Sequence, residues 1–187
     1  MKKTLIILAV AVIAIVIGNS IYMQTNKEEV PGKSKRIACM SKVTSFERGY
    51  ADRYIKEAQE QLTKGNFILT SGIDKATYMN STLFDQINMK NLDKQTLVNL
   101  NTYIKELKKD INNEIYIEYK VYENDKDDPK KKSSSCKLFR GYIVLKVKNI
   151  NKKVVYQVQI DFLDPMGKDI EQTIKCAIEA FITYNTK

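Results

Sequence analysis

The chain has 187 residues, 31 basic and 22 acidic side chains, no His and no Trp. Without His, a Ser-His-Asp or Cys-His nucleophile or a His-ligated metal cannot be built from this chain. Of the net charge of +9, residues 1–36 hold +4, which leaves the remainder mildly basic.

The first element is apolar. Thr4 to Gly18 carries no charge and follows Lys2 and Lys3 directly. Ile21, Tyr22 and Met23 extend it to the roughly 20 residues that cross a bilayer. A cleaved signal needs a shorter run and a small-residue cleavage site, and only Gly18 and Ser20 offer one. The sequence therefore predicts an anchor or signal segment over 1–23, with the uncleaved anchor favoured. A short N-terminal tail stays inside, which places the rest of the chain outside the cytoplasm. Residues 24–41 are polar, are broken by Pro31-Gly32, and read as a linker.

Residues 42–187 then read as one α+β domain. Thr44 and Glu47 fit a capping box. Tyr50, Tyr54, Ile55, Ala58 and Leu62 form an apolar stripe behind it, and Gly65 is placed to close the helix. Phe67-Ile68-Leu69 suits an edge strand or a packed loop. Asp74 to Met89 suits short helical turns that bury Leu83, Phe84 and Ile87. Leu97, Leu100, Ile104, Leu107 and Ile111 recur three and four apart, which predicts a second helix over Asp93 to Asn112.

The period then changes to two. Glu114 to Glu123, Leu138 to Lys148 and Val154 to Leu163 each alternate, and Asn149 to Lys152 links the last two as a hairpin. Asp164 and Pro165 suit the start of a last helix, with Met166, Ile170, Ile174, Ala177, Ile178 and Phe181 inward. The expected fold is a two-layer domain of helices packed on a three-stranded antiparallel β-meander, with a C-terminal helix.

Two surfaces are candidate binding sites. One is the outward face of the meander, with Tyr116, Glu118, Lys120 and Tyr122, then Arg140, Tyr142, Lys146 and Lys148, then Gln157 and Gln159. Cations among aromatics suit stacking on bases or sugars while pairing with phosphates. They also suit an ordinary solvated strand face. The other is the loop Asn124 to Lys137, where Lys130, Lys131 and Lys132 follow Asp125, Asp127 and Asp128. Its acids miss the calcium-loop spacing, so no metal or cofactor is expected. Asp161, Asp164 and Glu171 are the only carboxylates suggestive of acid–base chemistry, and nothing in their spacing joins them. Catalysis, as a small hydrolase or sugar-modifying enzyme using Asp or Glu, is the weakest reading.

Cys39, Cys136 and Cys176 form no C-x-x-C pair. Outside the cytoplasm, one disulfide and one free thiol is the natural outcome. Cys136 in a polar loop and Cys176 on a helix are the expected pair. The functional expectation is a single-pass bacterial envelope protein. It would sit in the cytoplasmic membrane through residues 4–23 and act as a non-catalytic interaction or assembly module for an envelope partner. The alternatives are a binder of an anionic polymer, nucleic acid or cell-wall polymer, and a secreted or periplasmic protein if the segment is cleaved.

Overall fold

The structure is a computed structural model that describes residues 34–131 and 138–185. The apolar segment 1–23, the linker as far as residue 33, Lys132 and Cys136 lie outside the described residues. Among the described residues, no helix is long and apolar enough to cross a membrane.

The architecture of the described residues is mixed α+β: one five-stranded sheet and three α-helices. In chain order these are β1 (Ser45–Gly49), α1 (Asp52–Thr63), β2 (Phe67–Asp74), α2 (Met89–Asn101), β3 (Ile115–Glu123), β4 (Gly141–Lys148), β5 (Val154–Phe162) and α3 (Ile170–Ile182). The sheet order is β1-β5-β4-β3-β2. The expected meander β3-β4-β5 is present, antiparallel throughout. The sheet has five strands rather than three, because β1 adds antiparallel to β5 and β2 adds parallel to β3. A parallel pair needs a long crossover, and α2 supplies it.

Alternation sets the burial. Along β3, Ile115, Ile117, Tyr119, Val121 and Glu123 are buried, and every residue between them is half-exposed. β4 repeats the pattern with Ile143, Leu145 and Val147. The helices cover this inward face. Ile55, Ala58 and Leu62 come from α1, Leu92 and Leu100 from α2, and Ile170, Ile174, Ala177, Ile178 and Phe181 from α3. Tyr156 and Phe181 meet with ring centroids 5.3 Å apart at the centre of this core.

Several boundaries differ from those predicted, each for a local reason. Ser45–Gly49 is a strand, not the first turn of a helix. Glu47 does not reach back to a cap; its carboxylate accepts from Arg36 at 2.6 Å and from the Tyr156 hydroxyl at 2.6 Å. α1 therefore starts at Asp52, and Tyr50 and Tyr54 are exposed. Gly65 does close α1, at φ +71°. There Asn66 N donates to Gln61 O, in the 6→1 bond of a Schellman turn. α2 begins early, where Asn88 Oδ1 accepts from Asn91 N, and ends at Asn101. Leu97 and Leu107 consequently lie exposed. Asp164 forms a tight turn before α3 rather than its cap, with Oδ1 accepting from Met166 N and Lys168 N. Met166 is exposed there.

The folded part also reaches back into the expected linker. Ala38–Met40 is a short 3-10 turn, and Met40 is fully buried. Arg36 donates to Ala180 O at 2.5 Å and to Thr183 O at 2.9 Å, at the end of α3. Cys39 is bonded to Cys176, with Cα atoms 6.0 Å apart. This corrects the expected Cys136–Cys176 pair. Cys176 is buried on the inward side of α3, facing the segment that carries Cys39.

Candidate functional site

The helices cover one face of the sheet, so the outward residues of all five strands form the candidate site. The strand registers place them in rows. Ile68, Tyr116 and Lys148 form one row, and Thr70, Glu118, Lys146, Gln157 and Arg48 the next. Gly72, Lys120, Val144, Gln159 and Phe46 form a third, and Asp74, Tyr122, Tyr142 and Asp161 a fourth. Tyr116, Lys120, Tyr122, Tyr142 and Lys146, all expected on this face, are brought together there. Phe46 and Arg48 arrive through β1 and Ile68 and Thr70 through β2. Neither strand had a strong two-residue period to announce it.

The face is largely paired within itself. Tyr122 and Tyr142 sit directly opposite and stack, with centroids 4.7 Å apart and planes 9° apart. Phe139 meets Tyr142 edge-on at 6.4 Å. Lys120 Nζ is 2.9 Å from Asp74 and 4.9 Å from the centre of the Tyr122 ring. Lys152 caps Tyr116 at 5.5 Å. Lys148 pairs with Glu118, and that hydrogen bond holds the Glu118 carboxyl below its ordinary value. Burial, then the nearby charges of Tyr122, Asp74 and Asp161, push the Tyr142 hydroxyl up, which keeps it a neutral donor. Lys146, in the middle of the sheet, makes no ion pair among the described residues.

Arg140 lies apart from this sheet face. It pairs with Glu123 at 3.1 Å, and their side chains are only 14% and 0% exposed. It also donates to Thr82 Oγ1 at 2.8 Å and Pro165 O at 3.1 Å. Glu123 in turn accepts from the backbone amides of Ala76, Thr82 and Leu83. Burial alone would raise its pKa, but the bonds from Ser81, Ala76, Leu83 and Thr82 outweigh that and hold it low. The pair pins the loop 75–85 and the turn after β5 onto the end of the sheet.

The described part of the charged loop, 124–131, is likewise held down. Lys131 Nζ donates to Asn124 Oδ1 at 2.6 Å and to Asp125 O at 2.9 Å. Lys130 is exposed. Asp125 Oδ2 accepts from the amides of Thr77 at 2.6 Å and Tyr78 at 2.7 Å. The acids of this loop therefore organise backbone. Among the described residues, no group of three His, Cys, Asp or Glu is placed to hold a metal ion.

The three carboxylates weighed for catalysis serve different places. Asp161 lies on the outward sheet face opposite Tyr142, Asp164 forms the turn before α3, and Glu171 lines a groove between α2 and α3. That groove, of about 250 Å³, and another of about 290 Å³ beside α1 are open and small next to the usual ligand pocket of roughly 300–1,000 Å³. No protein-family model, curated protein or solved structure matches this chain.

Proposed function

We propose that the protein is a non-catalytic interaction module of the bacterial envelope. Residues 4–23 hold it in the cytoplasmic membrane, and its domain stands outside the cytoplasm and receives a protein partner on the open sheet face. One observation carries the reading. Among the described residues, helices cover the five-stranded sheet on one side only, and its other side presents Phe46, Ile68, Tyr116, Tyr122, Tyr142 and Val144 around a central Lys146. Half-exposed aromatics framed by paired charges are the composition of a protein interface. The Cys39–Cys176 bond supports the outside placement, since structural disulfides persist in oxidising compartments.

A protein partner is favoured over an anionic polymer. Lys120 and Lys148 are neutralised by Asp74 and Glu118, and Arg140 by Glu123. A polymer site would keep those cations available.

The test is site-specific photo-crosslinking in native membranes. A photoreactive side chain at position 146 should give a defined adduct, while one at Lys56, exposed on α1, should not. An adduct from position 56 alone would move the site to the helical side. Recovery of the protein lacking about the first 20 residues, which the signal reading requires, would end the anchor.

A further inference from the structure

Among the described residues β2 is the last strand of the sheet, and nothing pairs with its outer edge. Asn66 O accepts from Ile115 N of β3. Successive residues of a strand point their backbone groups to opposite sides. The even-numbered residues from 66 to 74 therefore face β3, while Leu69, Ser71 and Ile73 aim their amides and carbonyls outward. Among the described residues, no hydrogen bond reaches that edge. Thr70 and Ser71 are both exposed, as are Ile68 and Ile73.

Edge strands are normally protected by charge, proline, a bulge or a covering segment. The other edge of this sheet has such protection: β1 carries Glu47 and Arg48, and Ser34 covers its start by donating to Ser45 O at 2.8 Å. β2 spans eight residues without a Lys, Arg or Pro, its one charge is the terminal Asp74, and its register with β3 is unbroken.

Gly72 adds a second observation. A glycine in a strand interior costs stability, and where there is no bulge or bend it marks a place where another backbone comes close. Nothing in this fold requires Gly72. A Cβ there would meet Lys120 Cγ at 3.6 Å, an ordinary contact, and the φ is not positive.

We infer that β2 pairs antiparallel with β2 of a second copy, about a two-fold axis through Ser71. Side-chain facing and the outward backbone groups allow an axis through Leu69, Ser71 or Ile73, and Ser71 gives the longest overlap of Phe67–Asp74 with itself. Leu69 then lies opposite Ile73 of the partner subunit, Thr70 opposite Gly72 of the partner subunit, and Ser71 opposite its own equivalent. Apolar meets apolar on the inward side and small meets small at the centre. The two Asp74 carboxylates lie at opposite ends of the seam, about 20 Å apart. The pairing closes about six backbone hydrogen bonds. It also turns two five-stranded sheets into one ten-stranded surface, which doubles the open face. The inference does not depend on what that face binds.

The experiment is disulfide trapping of the full-length protein in its native membrane, in a Cys136→Ser background. Residues opposed in a hydrogen-bonded antiparallel pair have Cα atoms about 5.5 Å apart, within disulfide range. Ser71→Cys should form a reductant-sensitive species of twice the monomer mass. Thr70→Cys, which faces Gly72 of the partner subunit, should form about tenfold less. Ser71→Lys should leave the circular-dichroism spectrum unchanged and abolish the dimer in crosslinking of the otherwise wild-type chain. Equal trapping at positions 70 and 71, or a dimer that survives Ser71→Lys, would overturn the inference. So would capture of a different chain at position 71. Loss of the position-146 adduct with the dimer intact would count against the open-face reading alone.

Discussion

Arg140 and Glu123 form an ion pair across the β3–β4 register end, 3.1 Å apart, with the Glu123 side chain wholly out of solvent. Removing one member strands the other in a buried site, which costs about 3–5 kcal/mol. Arg140→Ala should therefore lower the melting temperature by roughly 10 °C. Lys146→Ala, on the open face, should stay within about 0.5 kcal/mol of wild type. Urea unfolding of both variants makes the comparison. Equal effects would return Arg140 to the surface.

Glu123 also sets an acid limit, through the bonds it accepts from Ser81, Ala76, Leu83 and Thr82. Glu123 titrates below its ordinary value of 4.5 in the folded state, so the unfolded chain takes the proton first. Its stabilisation is complete above that ordinary value and is lost as pH falls through the lower, folded value. Asp125, also held low, contributes with the same sign. Glu123→Gln should be less stable at pH 7 and should show a flatter stability profile between about pH 5 and 3. An unchanged acid slope would remove Glu123 from the account.

Cys39–Cys176 closes a loop with a sequence separation of 137. On chain-entropy grounds a loop of that size is worth up to about 5 kcal/mol, and measured removals cost roughly 2–5. Cys39→Ser and Cys176→Ser should lower the unfolding midpoint equally, and reductant should bring wild type to the same value without moving either variant. A midpoint indifferent to reductant would argue against the bond.

Two glycines should respond in opposite ways. At Gly141 a Cβ would lie 2.2 Å from Tyr122 O and 2.4 Å from Phe162 Cζ, so Gly141→Ala forces backbone apart. It should cost about 3 kcal/mol or prevent folding. Gly72→Ala has room and should stabilise the subunit by about 0.4–1 kcal/mol through the unfolded chain. Thermal unfolding of the two side by side decides it.

What could be read from the sequence followed the length of each period. β3 alternates over nine residues and β4 over eight, so both their existence and their inward faces were legible, whereas in β5 Val155 and Asp161 are buried against the period. β1 has five residues, and Thr44 and Glu47 imitate a cap; only the distant Arg36 and Tyr156 explain why Glu47 sits in a strand. β2 was visible as Phe67-Ile68-Leu69, but its parallel pairing with β3 rests on the path of α2, which no local pattern encodes. Within the candidate site, the alternation placed Tyr122 and Tyr142 on one face. It could not show that they stack, or that Arg140, just before β4, turns inward. The partner of Cys176 was illegible because Cys39 sits in a segment whose composition is that of a linker.

The clasp at Arg36 and Cys39 decides how a pull would travel. Force applied to the chain ahead of Ser34 meets first the bonds from Ser34 to Ser45 O and Glu47 on β1, then Arg36, whose guanidinium holds the C-terminal carbonyls of α3. It then passes through a covalent bond into Cys176. Once the Ser34 contacts yield, the load passes into the last helix rather than along the backbone into β1. The residues between the two cysteines are shielded from tension applied along the backbone from outside the disulfide.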